Sequence, residues 1–136
     1  MKKTIFLTLV ILSTFFSYSV FAQMMVGQHL NDIKKEHPMG NLELNEDYGY
    51  TYGVDVEKEE DYYLFFLNKQ LVCYMTVLRP TSSGSLQAWV ENLNKKWVVM
   101  DNYHWRLYRA NGSIMQAELR KVADVQGMCI GFRLIE

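Results

Sequence analysis

The side chains with the most chemistry in this chain are three histidines, two cysteines and a run of carboxylates, and none of them stands in a spacing that completes a site. His29 and Asp32 are three residues apart in a helical stretch, so they share a face and could supply two ligands to a metal. A metal site needs at least one further ligand of fixed geometry, and a pair of solvated polar residues accounts for the pattern. Cys73 could act as a nucleophile beside a histidine. Its neighbours Leu71, Met75 and Val77 instead read as core, and apolar surroundings raise a thiol's pKa and blunt it. Asp55, Glu57, Glu59, Glu60 and Asp61 form an oxygen-rich stretch, but the spacing and central glycine of a calcium loop are missing, so it reads as a solvated hairpin tip. There is no G-x-S-x-G elbow, no H-E-x-x-H pair and no glycine-rich phosphate loop. The expectation is a protein with no catalytic residues, no metal and no cofactor.

Aromatic side chains are the stronger functional clue. Tyr48, Tyr50 and Tyr52 alternate along one strand, and Trp105 and Tyr108 lie on a strand of the second half of the chain. Tyrosine and tryptophan give large contact area at low entropic cost and dominate protein–protein hot spots. They also stack on sugars. These five residues are the candidate binding surface, and the competing reading is that they pack beneath the helices.

The elements that must position these groups follow from periodicity. Leu30, Ile33 and His37 have helical spacing, and Pro38 and Gly40 end that short helix. Asn41 to Asp47 is polar and reads as a connection. Strands are expected at 48–54, at 62–67, which is apolar on both faces, and at 71–78, forming an antiparallel meander. Leu86, Trp89, Val90, Leu93 and Trp97 recur at steps of 3, 4, 7 and 11 from Leu86, an amphipathic helix with Lys95 and Lys96 suiting its C-terminal dipole. Residues 97–100 are irregular or a short strand. Further strands are expected around 104–108, 113–119 and 128–134. Asn111-Gly112 signals a hairpin of the type with positive φ at both central residues. The expected fold is α+β: two α-β-β-β units forming an antiparallel sheet of about six strands with two helices on one face. The pairs Leu30/Ile33 and Leu86/Trp89 are offset by 56 residues, as are Gln70/Gln126 and Cys73/Cys129, which makes 27–80 and 83–136 a candidate degenerate repeat.

Residues 1–22 carry an address. Lys2 and Lys3 precede an apolar run from Ile5 to Ile11, diluted through Phe15, Phe16 and Phe21. Val20-Phe21-Ala22 then offers the small residues a signal peptidase reads, with the cut at Ala22–Gln23. The dense apolar part is shorter than the roughly 20 residues of a membrane-spanning helix. The expectation is a periplasmic or secreted protein with no stable membrane anchor after cleavage, its single α+β domain spanning 23–136. Losing Lys2 and Lys3 takes the formal charge from −1 to −3. A mildly acidic chain without a basic run has no footprint for nucleic acid. In an oxidising compartment Cys73 and Cys129 are a candidate disulfide closing a 56-residue loop, a constraint of about 4 kcal/mol in the chain-entropy account. Two separate buried thiols are the alternative.

Val26-Gly27, Ile33 and Pro38, followed by a tyrosine-rich and then an aromatic strand, resemble the opening of SmpA/OmlA-type envelope proteins. The doubled arrangement is similar to the β-lactamase inhibitor protein (BLIP) family, built from two such units. The likeness covers the mature chain in element order more than in residues, and the lipid-bearing cysteine of SmpA/OmlA proteins is absent. It implies a non-enzymatic, inhibitor- or immunity-like binding role on another protein of the envelope or periplasm, often through a concave sheet face. A glycan- or small-ligand-binding module using the same aromatics is the second expectation. A small thiol- or histidine-dependent enzyme is the third.

Overall fold

The computed structural model describes residues 25–55, 61–121 and 127–135. The leader 1–22, Glu57 to Glu60 of the acidic stretch, and Gln126 lie outside the described residues. The remainder is α+β, as expected, and its one sheet is wholly antiparallel. That sheet has eight strands rather than about six. Helix α1 (Leu30–Glu36) precedes β1 (Asn41–Asn45), β2 (Gly49–Asp55), β3 (Tyr62–Leu67) and β4 (Cys73–Arg79). Helix α2 (Ser83–Lys96) precedes β5 (Val98–Val99), β6 (His104–Tyr108), β7 (Ile114–Lys121) and β8 (Met128–Leu134). Each half is therefore one helix and a four-stranded meander. The strand order β1-β2-β3-β4-β8-β7-β6-β5 sets the last strands of the two halves side by side at the centre, the adjacency that a two-fold relation between the halves requires.

The two additional strands are the sheet edges. β1 occupies the segment read as a connection. It pairs along its length with β2, from Asn41 opposite Gly53 to Asn45 opposite Gly49. Every one of its residues is exposed, so no burial alternation marks it. β5 is a two-residue pairing of Val98 and Val99 with Arg106 and Trp105.

Local chemistry sets the element ends. The Ser82 side chain accepts the Ser85 amide hydrogen at 3.1 Å and caps α2, whose last turn carries Lys95 and Lys96. His29 caps α1 in the same way, its Nδ1 accepting from the Asn31 amide at 3.1 Å. The β6–β7 hairpin forms where Asn111-Gly112 signalled it, but over the five-residue connection 109–113. Only Gly112 has positive φ (87°), whereas the sequence reading expected it at both residues. Gly112 donates to the Arg109 carbonyl at 3.0 Å, and Asn111 Oδ1 accepts from the Ser113 amide, so the asparagine side chain closes the turn without a left-handed backbone of its own.

The core lies on one face of the sheet. Tyr52, Phe65, Thr76, Phe132, Ala117 and Trp105 are successive cross-strand partners running through the sheet, with the pair Leu78 and Ile130 beside them on the same face. Leu30 and Ile33 of α1 and Leu93 of α2 join the same buried cluster, so both helices cover this face. At α2 the carboxylate of Asp61, just before β3, accepts from Ser85 Oγ at 2.5 Å and from Trp89 Nε1 at 2.6 Å, tying the helix start to the sheet.

Candidate functional site

The opposite face of the sheet carries no helix among the described residues, and it holds a groove of about 380 Å³. Its floor comes from strand residues of the parity opposite to the core set. Leu64 and Phe66 on β3 stand beside Val77 and Met75 on β4. Those are followed across β8 by Gly131 and Arg133, then across β7 by Glu118 and Gln116. Tyr48 and Tyr62 form part of the wall, Tyr48 meeting Phe66 edge-on at 5.9 Å between ring centroids. The first half of the chain thus gives the groove its apolar floor together with Arg79 at the end of β4, and the second half gives most of its polar lining.

Charge is concentrated in the polar part. Arg79, Arg120 and Arg133 line the groove, with Glu118 the single lining carboxylate among the described residues. The Arg79 guanidinium lies 5.8 Å from the Tyr62 ring centroid. Arg120 pairs with Glu118 at 3.2 Å, while Arg79 and Arg133 make no ion pair among the described residues. Burial raises the Tyr62 hydroxyl above its ordinary pKa, with the Glu43 charge adding to the rise and Arg79 opposing it. At the groove's margin Arg106, paired with Gln116, keeps its Nε buried and without a partner among the described residues.

Gly131 marks the bottom. On this face its cross-strand neighbours are Val77 and Glu118. A Cβ added at Gly131 would meet nothing within 4 Å. The missing side chain is therefore what keeps this part of the floor open. Gly53, on the same face at the β2 side, differs: a Cβ there would collide with the Tyr62 hydroxyl, so its glycine makes room for a wall residue.

The aromatic surface expected from the sequence does not form. Tyr52 is 1% exposed and Trp105 2% exposed, both in the core beneath the helices, and Tyr50 packs against that core. The polar atoms of Tyr52 and Trp105 are satisfied inside. The Tyr52 hydroxyl donates to the His37 carbonyl at 2.5 Å and accepts from the Gly40 amide at 3.0 Å. Trp105 Nε1 donates to Asn94 Oδ1 at 2.8 Å. Tyr48 and Tyr108 are exposed, at 60% and 56%. Only Tyr48 lines the groove. The physical reason is that α1 and α2 can cover one face only, and Tyr50, Tyr52 and Trp105 carry the parity of that face.

The candidate disulfide is also corrected. Cys73 and Cys129 are both free and buried, and they lie on opposite faces, Cys73 in the helix-covered core and Cys129 in the groove. A register shift causes this. Phe66 pairs with Met75 and the next residue, Leu67, pairs with Cys73, so Tyr74 is an extra residue on β4. A bulge of one residue swaps the faces on either side of it. Met75 and Val77, expected to share the core with Cys73, consequently point into the groove. Burial pushes the Cys73 thiol up to about 11, against weaker opposing hydrogen bonds from Thr76 and the backbone. The Cys129 thiol is raised by burial too, with Arg79 pulling the other way.

His29, Asp32, Asp101 and His104 have local partners, whereas the buried Nε2 of His37 has none among the described residues. His29 serves as the α1 cap, and Asp32 pairs with Lys35 at 3.4 Å. His104 Nδ1 lies 2.8 Å from Asp101, whose carboxyl is held below its usual range by the Tyr103 amide first and His104 second. Burial lowers the His37 pKa. Among the described residues no group of three His, Cys, Asp or Glu side chains comes together in a geometry for a metal ion, and no helix is long and apolar enough to cross a membrane. The chain matches no protein-family model, no curated protein and no solved structure.

Sequence reasoning missed Leu64, Met75, Val77, Arg79, Gly131 and Arg133 as a set. One signal was available: residues 62–67 and 71–78 are apolar at both parities, and two helices cannot cover both faces.

Proposed function

We propose that this chain is an exported, non-enzymatic binding protein that docks another protein of the envelope on the uncovered face of its sheet. The supporting observation is the contiguous apolar floor of Leu64, Phe66, Met75 and Val77, left without a covering element among the described residues. Phe66 is buried and Leu64, Met75 and Val77 are half-buried, and an apolar floor rimmed by polar groups is the setting of interaction sites. The basic start, apolar run and Ala22–Gln23 junction support export. The resemblance to the β-lactamase inhibitor protein family supports use of a sheet face, and the buried Cys73 thiol, pushed up to about 11, disfavours a thiol mechanism.

Site-specific photocrosslinking tests this reading. A photoreactive phenylalanine analogue at Met75 is expected to capture one defined partner in the envelope, and the same analogue at Gln87 on α2 is not. Capture from Gln87 alone would refute the docking face. A second reading, a small-ligand module, draws on the groove's volume, which falls within the roughly 300–1,000 Å³ of ligand pockets.

A further inference from the structure

We propose that the occupant of this groove is an acidic segment of the partner protein, which sets a carboxylate over Gly131 among Arg79, Arg120 and Arg133 and lays an adjacent apolar side chain on Leu64, Phe66, Met75 and Val77. This rests on the docking reading above and names the chemistry that the docking face selects.

The argument starts from register. Arg133 is two residues along β8 from Gly131, on the same face. Arg120 pairs with Cys129, two residues along β8 in the other direction, so it stands diagonal to Gly131 on β7. Arg79 ends β4 two residues beyond Val77, diagonal on the other side. Three guanidinium side chains therefore surround a floor position that carries no side chain and has open space above it. Same-face neighbours in a sheet are separated by about 5 to 8 Å, within the reach of an arginine fork.

Charge complementarity gives the sign. The whole chain is net negative, yet among the described residues the groove is lined by three arginines against one glutamate. Glu118 is engaged by Arg120 at 3.2 Å, and Arg79 and Arg133 have no carboxylate partner among the described residues. Two forked cations with no ion pair among the described residues, beside a low-dielectric apolar wall, favour a planar anion that accepts two hydrogen bonds from one guanidinium. The apolar side adds the second requirement. An anion alone would leave the half-buried Leu64, Met75 and Val77 in contact with water, whereas an aliphatic or aromatic residue one or two positions from the acid covers them. Arginines spread over three strands suit a chain laid across the sheet better than a single head group held at one end.

The test is selection of a random 12-residue peptide display library on the chain 23–136, with three protein forms in parallel. The first is the native chain. The second is Gly131→Val, whose Cβ meets nothing within 4 Å and which retains all charges. The third is the combined Arg79→Gln, Arg120→Gln, Arg133→Gln variant, which retains the floor. Circular dichroism and thermal melting confirm that each form is folded before selection. Native protein is expected to enrich peptides with Asp or Glu next to Leu, Ile or Phe. Their affinity is expected to fall about tenfold or more in the arginine-to-glutamine variant and to weaken as salt rises. Gly131→Val is expected to lose them as well.

Enrichment of apolar peptides without acids, lost in Gly131→Val but retained by the glutamine variant, would overturn the acidic-segment inference and leave the docking face standing. Peptides that bind the native chain and Gly131→Val equally would overturn the docking face itself. No enrichment over background, together with saturable binding of laurate that Gly131→Val abolishes, would assign the groove to a fatty anion and overturn the peptide inference. No enrichment and no laurate binding would overturn it too.

Discussion

Replacing Tyr52 by phenylalanine separates a core Tyr52 from a contact-surface Tyr52 with a single oxygen atom. The ring stays and its packing against Phe65 is retained. The hydroxyl removed bridges the end of α1 to the start of β1: it donates to the His37 carbonyl and accepts from the Gly40 amide. Both partners are partly buried, so water replaces the lost bonds incompletely. A hydrogen bond is worth about 0.5–1.5 kcal/mol net, and stranding a buried partner adds to this. Two bonds lost at one site give about 2–3 kcal/mol. For a domain of this size 1 kcal/mol moves the midpoint by about 4 °C, so Tm is expected to fall by about 8–12 °C. Thermal melting followed by circular dichroism measures the shift, and hydrogen exchange at the Gly40 amide reports the local opening directly. Tyr108→Phe, on an exposed ring, is the control and should leave Tm within about 1 °C. If Tyr52→Phe melts with the native protein and the Gly40 amide exchanges no faster, the assignment of Tyr52 to the core is wrong.

The Cys73 thiol gives a pH signature. Its folded pKa of about 11 exceeds the ordinary 9, so its contribution to stability is fully present below pH 9 and is lost as pH rises towards 11. The span corresponds to about 3 kcal/mol at most. Urea titrations of native protein and Cys73→Ala should therefore converge in stability between pH 9 and 11, and parallel curves would refute the burial argument. Asp61→Ala removes two charge-assisted bonds, to Ser85 Oγ and Trp89 Nε1, and should cost about 2–4 kcal/mol, measured by denaturant unfolding, with Ser85→Ala costing less.

What the sequence made legible was the set of elements with strong periodic signals. The step pattern Leu86, Trp89, Val90, Leu93 marked α2, whose observed range Ser83–Lys96 begins at the expected polar stretch and ends at Trp97. Leu30 and Ile33 marked α1, and both are buried. β1 was hidden for an equally physical reason: an edge strand exposed at every residue has no inside and outside to alternate. The face assignments failed where period two is ambiguous. Tyr48, Tyr50 and Tyr52 share parity, but Tyr48 precedes β2 and its side chain is not bound to that strand's pleat. Trp105 and Tyr108 differ in parity, and they occupy opposite environments, one in the core and the other in solvent.

The bulge at Tyr74 is the feature that links fold to site. In a strand of regular register Cys73, Met75 and Val77 share a face, and that face would be either core or groove throughout. The extra residue lets β4 serve both faces in turn: Cys73 closes the core beneath α1, where its backbone exchanges hydrogen bonds with Gly27 and Gln28, and Met75 and Val77 open onto the groove. β8 has no register shift in its pairing with β7 from Met128 to Leu134. It therefore places Cys129, Gly131 and Arg133 together on the groove side. The same one-residue difference between the two central strands separates the cysteines across the sheet and brings apolar and cationic residues together beneath one opening. A groove with one greasy side and one cationic side is thus a consequence of pairing a bulged strand with a regular one at the centre of the sheet, and it requires no difference in the order of elements between the halves.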